Sequence, residues 1–248
     1  SKPTVALVAM MSRLEGDLVL LGVGGKMGPS MARMARRAID EAGSEARVIG
    51  VSRFSNESVR EQLESWGVET VACDLLDPEA VNKLPLAGNV VYLAGFKFGA
   101  SRDPGRLWAT NCLAPAWISR HYRASRIVAL STGNVYRPVS ADSGGSRESD
   151  ALEPHGEYAM AALGRERTFQ FFSETSGTPM ALLRLNYAHD LRYGVFVDVA
   201  QQLLAGEPVD ISTGHVNIVW LADANAMTLR ALEHCRAPAQ IINVTGAE

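Results

Sequence analysis

Cysteine is scarce in this chain. Cys73, Cys112 and Cys235 are the only three in 248 residues, far apart and odd in number. They show no metal-ligand spacing and point to a reducing compartment, so the cytoplasm is the expected location. Histidine is nearly as sparse, with five residues, and no cluster of His, Cys or carboxylate has zinc spacing, so no metal is expected. Asp190, Asp198 and Asp210 stand singly and read as caps or solvated charges. The net charge is only −3 and no run of five basic residues occurs, which argues against a nucleic-acid partner. No apolar run nears the roughly 18 residues that cross a bilayer, so no membrane span is expected. The apolar stretch Val5–Met11 reads as a short helix packed on the domain rather than as a signal peptide.

What is present is enough apolar material, 47% of residues, to bury a large core in one domain or in one domain plus a small lobe. The most informative stretch is Leu18-Val19-Leu20-Leu21-Gly22-Val23-Gly24-Gly25-Lys26-Met27-Gly28. Four apolar residues read as a buried strand, and Met31–Arg37 reads as a helix. Between them glycine recurs at Gly22, Gly25 and Gly28, with Gly24 inserted. A strand, a glycine turn and a helix place a pyrophosphate on the helix N-terminus, where backbone N–H groups and the helix dipole favour an anion. The loop, including Lys26 and Met27, is therefore a candidate dinucleotide cradle.

Apolar runs and helical segments alternate through the first two thirds. Strands are predicted at 18–22, 47–52, 68–73, 89–94, 126–131 and 180–186, with helices near 29–42, 57–66, 78–84, 104–121 and 156–175. Continuous apolar strands such as Val90–Ala94 suit a parallel sheet covered on both faces, and right-handed crossovers then give a doubly wound α/β sheet of Rossmann type. Pro115 predicts a kink or a late start in the fourth helix. The polar, glycine-rich stretch Ser140–Asp150 reads equally as a loop over a site or as a plain connection. After residue 186 the pattern loosens: a helix near 194–205, strands near 209–211 and 216–219, a helix near 222–234 and a strand near 239–244. Residues 1–185 form the expected dinucleotide-binding domain and 186–248 a small C-terminal substrate lobe, interleaved with the main sheet.

The second strand ends in Ser52-Arg53 and carries no carboxylate at the position that holds a ribose 2′-hydroxyl in NAD proteins. The arginine fork suits a 2′-phosphate, so the residues point to NADP in preference to NAD.

Taken in order, these motifs resemble the extended short-chain dehydrogenase/reductases, also called the NAD-dependent epimerase/dehydratase family, from Leu18 onward. Gly22, Gly25 and Gly28 resemble its GxxGxxG loop. Cys73-Asp74-Leu75 is similar to its acidic turn, which would set Asp74 at the adenine. Leu93-Ala94-Gly95 resembles the turn beside the nicotinamide ribose, and Asn111 the asparagine of the fourth helix. Ser131-Thr132-Gly133-Asn134-Val135-Tyr136 and Tyr158 resemble the catalytic segment and the YxxxK tyrosine. Leu183–Tyr187 resembles the entry to the substrate lobe. The resemblance implies hydride transfer between a sugar carbon and a nicotinamide. Tyr158 would then move the hydroxyl proton while Thr132 hydrogen-bonds the reacting oxygen. A free phenol, with a pKa of about 10, needs a nearby cation for this.

The departure is at Tyr158-Ala159-Met160-Ala161-Ala162, where Ala162 stands in place of the lysine. Tyr158 then works with another cation, for which Lys97 is the candidate, or the cofactor serves another reaction, or the protein binds a dinucleotide without turnover. By position, Asn186 is expected at the cofactor, and Asn134, Tyr187, Arg192 and Asn217 at the substrate, with a surface ion pair the competing role for Arg192. Relatives usually continue past the equivalent of Glu248, so either the chain is truncated or its lid is minimal. The resemblance also implies a homodimer through 104–121 and 156–175. Trp108, Trp117, Phe169 and Phe172 would supply either that surface or core.

Overall fold

The computed structural model describes residues 2–96, 103–212 and 214–246. Seven strands form one parallel sheet: β1 (Leu18–Leu21), β2 (Val48–Ser52), β3 (Glu69–Ala72), β4 (Asn89–Tyr92), β5 (Arg126–Thr132), β6 (Met180–Leu185) and β9 (Gln240–Val244), in the order β3-β2-β1-β4-β5-β6-β9. The alternation of side chains along each strand divides them between two cores. Leu18 and Leu20 of β1, Val91, Val128, Ala181 and Leu183 face one side. They meet α1 (Val5–Met11), α2 (Gly28–Glu41) and α9 (Leu221–Arg230). Val19, Leu21, Val90, Tyr92, Ile127 and Leu182 face the other. There they meet Ile118 of α6 (Ala114–His121) and Phe169 of α7 (Gly156–Ser176), while α3 (Glu57–Ser65) and α4 (Pro78–Val81) complete the crossovers. Burial on both faces is why β1 and β4 are apolar without interruption.

Pro115 shows its effect in the backbone. After α5 (Pro104–Trp108) the chain makes a π-helical turn, Ala109–Leu113, before α6 begins. Pro115 has no N–H to donate to the carbonyl of residue 111, and the wider turn absorbs the missing bond.

Beyond β6 the chain leaves the sheet through β7 (Tyr187–His189), α8 (Val195–Ala205) and β8 (Ile218–Trp220), and returns through α9 to β9. Strands β7 and β8 pair in parallel as a small separate sheet. The strand expected at 209–211 is absent. Asp210 instead accepts the Ser212 N–H in a local turn at 2.8 Å, and Ile211 points to solvent. The Ser140–Asp150 stretch is fastened rather than loose over a cleft: Asn243 donates from Nδ2 to the Ser146 carbonyl at 2.9 Å, and its backbone N–H donates to the Glu148 carboxylate at 2.7 Å. Phe169 is core, Trp117 and Phe172 pack partly buried against the core, and Trp108 is half-exposed with its indole N–H on Glu157. No helix among the described residues is long and apolar enough to cross a membrane.

Candidate active site and dinucleotide cleft

Two cavities open at the carboxyl ends of the strands, where ligands bind in sheets of this kind. One, of about 270 Å³, is lined by Gly22, Gly24 and Gly25 after β1, Ser52 and Arg53 after β2, Asp74 and Leu75 after β3, and Leu93, Ala94 and Gly95 after β4. The other, of about 370 Å³, is lined by Ser131, Thr132 and Asn134 at the end of β5, Tyr158 on α7, and Asn186 and Tyr187 after β6. The glycine loop is the shared wall, since Lys26 and Met27 line the second cavity.

The loop owes its shape to two glycines. Gly22 has φ +88°, and its N–H donates to the Val51 carbonyl at 2.8 Å. A Cβ there would lie 2.7 Å from the Ala94 nitrogen. At Gly28, the first residue of α2, a Cβ would lie 2.0 Å from the Val23 carbonyl oxygen, so only glycine lets the helix start this close to the strand. The result is a concave stretch of bare backbone in front of a helix N-terminus, the shape and polarity a pyrophosphate requires. Gly28 itself packs behind the cavity rather than lining it.

In the second cavity Thr132 is nearly buried, and its Oγ1 accepts the Asn134 N–H at 3.2 Å. Ser131 donates to Glu166 at 2.5 Å. Glu166 in turn forms a buried ion pair with Arg184 at 2.9 Å. That network fixes the end of β5 from behind. The Tyr158 ring packs half-buried against Leu107 and Ala161. Ala162 is fully buried against Val135 and Tyr136 and brings no functional group to the cavity. Tyr193, from the turn after β7, reaches across to the glycine loop. Its hydroxyl donates to the Lys26 carbonyl at 3.1 Å, and Lys26 Nζ lies 5.1 Å from its ring centre. Burial first, then Asp190, pushes the Tyr193 phenol up to about 12, so it stays a donor at neutral pH.

Three expected site residues sit elsewhere. Asn111 is fully buried in the π turn, with its amide donating to the Leu107 carbonyl at 2.8 Å, and Thr110 lines the nucleotide cavity in its place. Arg192 lines neither cavity; it pairs with Asp190 at 2.6 Å and is largely exposed. Asn217 stands behind the wall and accepts the Asn186 amide at 3.0 Å. Lys97 lies outside the described residues. Residues not anticipated from the sequence include Arg106, a second cation lining the nucleotide cavity, and Tyr193 and Asp198 in the other. Asp103-Pro104 is the one available signal for Arg106, because the Asp103 carboxylate caps α5 on the Arg106 N–H at 2.9 Å. Among the described residues no group of three or more His, Cys, Asp or Glu side chains is placed to hold a metal.

Solved structures share this fold. A UDP-glucose 4-epimerase from Thermotoga maritima superposes with a TM-score of 0.76 at 20% identity, over 94% of this chain and 77% of that one. A dTDP-glucose 4,6-dehydratase from Streptomyces venezuelae, with NAD and TYD bound, gives 0.78 at 18% identity, over 93% and 76%. RMD from Pseudomonas aeruginosa, complexed with NADPH, gives 0.70 at 21% identity, over 94% and 78%. No curated protein gives a match. The family model for the NAD dependent epimerase/dehydratase family matches residues 18–245, and the chain belongs to that family.

Proposed function

We propose that the chain binds a nicotinamide dinucleotide, NADP in preference to NAD, and uses it for reversible hydride transfer on a sugar or nucleotide sugar. The observation that carries the reading is the pair of cavities on either side of one glycine loop, with Tyr158 and Thr132 together in the second. The glycine-lined cradle and the helix N-terminus fit the pyrophosphate, Asp74 and Leu75 the adenine end, and Ala94 and Gly95 the nicotinamide ribose. Arg53 and Arg106 give the cavity two cations and Ser52 a hydroxyl, a set that suits a 2′-phosphate better than a bare ribose. The bound dinucleotide supplies the hydride acceptor or donor.

In this reading Tyr158 takes or returns the proton of the substrate hydroxyl, and Thr132 holds the same oxygen through a hydrogen bond. Asn134, Asn186 and Tyr187 orient the sugar, while Tyr193 closes the cavity against water from the lobe side. The protein acts in the cytoplasm and pairs with a second copy through α5–α6 and α7.

One observation favours a second reading, a dinucleotide-binding or redox-sensing protein without turnover. Position 162 carries a buried alanine and contributes no cation to the tyrosine. Titration with NADPH and NADH, then turnover on a panel of nucleotide sugars, separates the two. The first reading expects tighter NADPH binding and a turnover that falls about 10²- to 10⁴-fold in Tyr158→Phe with cofactor affinity intact. Tight cofactor binding with no turnover on any sugar selects the second. Turnover that survives Tyr158→Phe removes the tyrosine from its role.

A further inference from the structure

Arg165 is a buried cation to which no described carboxylate is paired. It lies on α7 seven residues after Tyr158 and three after Ala162, so all three share one face of the helix. The residue is 5% exposed. Its Nη1 donates to the Leu130 carbonyl at 2.6 Å and reaches the Ala94 carbonyl at 3.4 Å, which ties the ends of β5 and β4 together. Its Nε is buried and has no hydrogen-bond partner. Of the carboxylates on its own helix, Glu166 is committed to Arg184 and Ser131 and Glu157 to the Trp108 indole, while Glu174, nine residues further on, is exposed. The Tyr92 phenol and the Cys112 thiol feel its field. Burial pushes both up, so both are neutral at neutral pH and neither offsets the charge.

A buried guanidinium with no anion is costly to the fold. Its position shows where an anion would meet it. A Cβ built on Gly95 would lie 3.6 Å from Nη2 and 3.7 Å from Nη1. Gly95 and Ala94 are themselves wall residues of the nucleotide cavity. The guanidinium therefore stands one peptide behind that wall, at a point where the wall has no side chain.

We propose that Arg165 is the fixed positive charge of the nucleotide cavity, a positioning residue that favours an anionic dinucleotide through the Ala94–Gly95 wall. The inference rests on the dinucleotide reading above and goes beyond it in assigning the charge. Burial keeps water from screening it, and the hydrogen bonds to Leu130 and Ala94 hold it still whether or not a ligand is bound.

The test compares Arg165→Met, Arg165→Gln and Arg165→Lys with the parent protein. Thermal unfolding is followed with and without NADPH, and the NADPH dissociation constant is measured by calorimetry. Loss of an uncompensated charge leaves ligand-free Arg165→Met as stable as the parent, or more so. Its NADPH affinity falls about tenfold or more, and the NADPH-induced rise in Tm shrinks to match. Arg165→Gln keeps a donor for the Leu130 carbonyl but loses the charge, and it loses affinity likewise. Arg165→Lys keeps the charge and recovers most of it. The proposal is overturned if Arg165→Gln binds NADPH as the parent does. It also falls if the ligand-free Met and Gln variants unfold early while Arg165→Lys does not, because the cation then serves the fold. Failure of the parent itself to bind NADPH or NADH removes the dinucleotide reading, and this inference with it.

Discussion

The two cavities share the glycine loop but are walled by different materials. The nucleotide side centres on glycine backbone after β1 and β4, strands whose residues are wholly buried, Leu18–Leu21 and Asn89–Tyr92. A Cβ would strike a neighbouring main chain at Gly22 and, behind the cavity, at Gly28, and would strike the Ser52 hydroxyl at Gly24. The outer wall of the Tyr158 side comes from β7, α8 and the turn between them. Helix α8 buries no residue at all, and its Leu204 is 90% exposed. On the proposed reading, the cofactor that every turnover shares meets the closely packed glycine loop, and the sugar that varies meets side chains on a lightly packed lobe.

The strongest way to break that contrast is to add one methyl group on each side. In Gly28→Ala the new carbon would meet the Val23 carbonyl at 2.0 Å, so either the strand or the helix must move. We expect a loss of about 3 kcal/mol or more in urea unfolding, with NADPH binding lost. In Gly214→Ala, in the lobe, a Cβ meets nothing within 4 Å, and stability stays within about 0.5 kcal/mol. Equal tolerance of the two changes would mean that the loop is no stiffer than the lobe.

The next largest effect sharpens the chemistry of the nucleotide side. Arg53 is exposed and lines the cavity at the end of β2. Arg53→Ala is expected to weaken NADPH by about tenfold or more while leaving NADH unchanged, because only the former carries a 2′-phosphate for the guanidinium. A parallel loss for both cofactors in calorimetric titration would place Arg53 on a group they share.

Legibility in the sequence follows the same divide. The first six strands of the main sheet lie within a residue or two of where the sequence pattern places them; apart from the partly exposed edge strand β3, burial on both faces leaves a largely apolar signature. Pro115 announces an irregularity in the fourth helix, which the structure forms as a π turn, because one missing N–H has a local consequence. Strand β7 is invisible by comparison: Tyr187-Ala188-His189 is three residues long, and only pairing with the distant β8 makes it a strand. Arg165 is hidden for another reason. An arginine on a helix reads as a solvated charge, and its burial depends on the ends of β4 and β5 meeting behind it. Asn111 shows the reverse error, since a motif position places it at the cofactor while the π turn rotates its amide inward onto Leu107. Local periodicity reaches the frame of the site but not the side chains that long-range packing delivers to it.

The smallest expected effect tests whether the lobe closes independently of the nucleotide side. The Asp190 carboxylate shapes the turn that carries Tyr193. It accepts the Arg192 N–H at 2.8 Å and the Tyr193 N–H at 3.3 Å, and pairs with the Arg192 side chain at 2.6 Å. Burial alone would push this carboxyl up. The Arg192 side chain and the two backbone N–H groups outweigh it and hold the carboxyl below its ordinary value. A depressed carboxylate contributes stability above its unfolded pKa, about 3.9, and that contribution is lost as pH falls through the lower folded value. At pH 7 Asp190→Asn should therefore loosen the Tyr193 contact with the Lys26 carbonyl, raising the sugar KM about two- to fivefold with NADPH affinity unchanged. On acidification the stability difference between parent and variant should narrow only below the ordinary carboxylate range. If NADPH affinity falls together with the sugar KM effect, closure of the lobe is coupled to the glycine loop through Tyr193, and the two cavities act as one site.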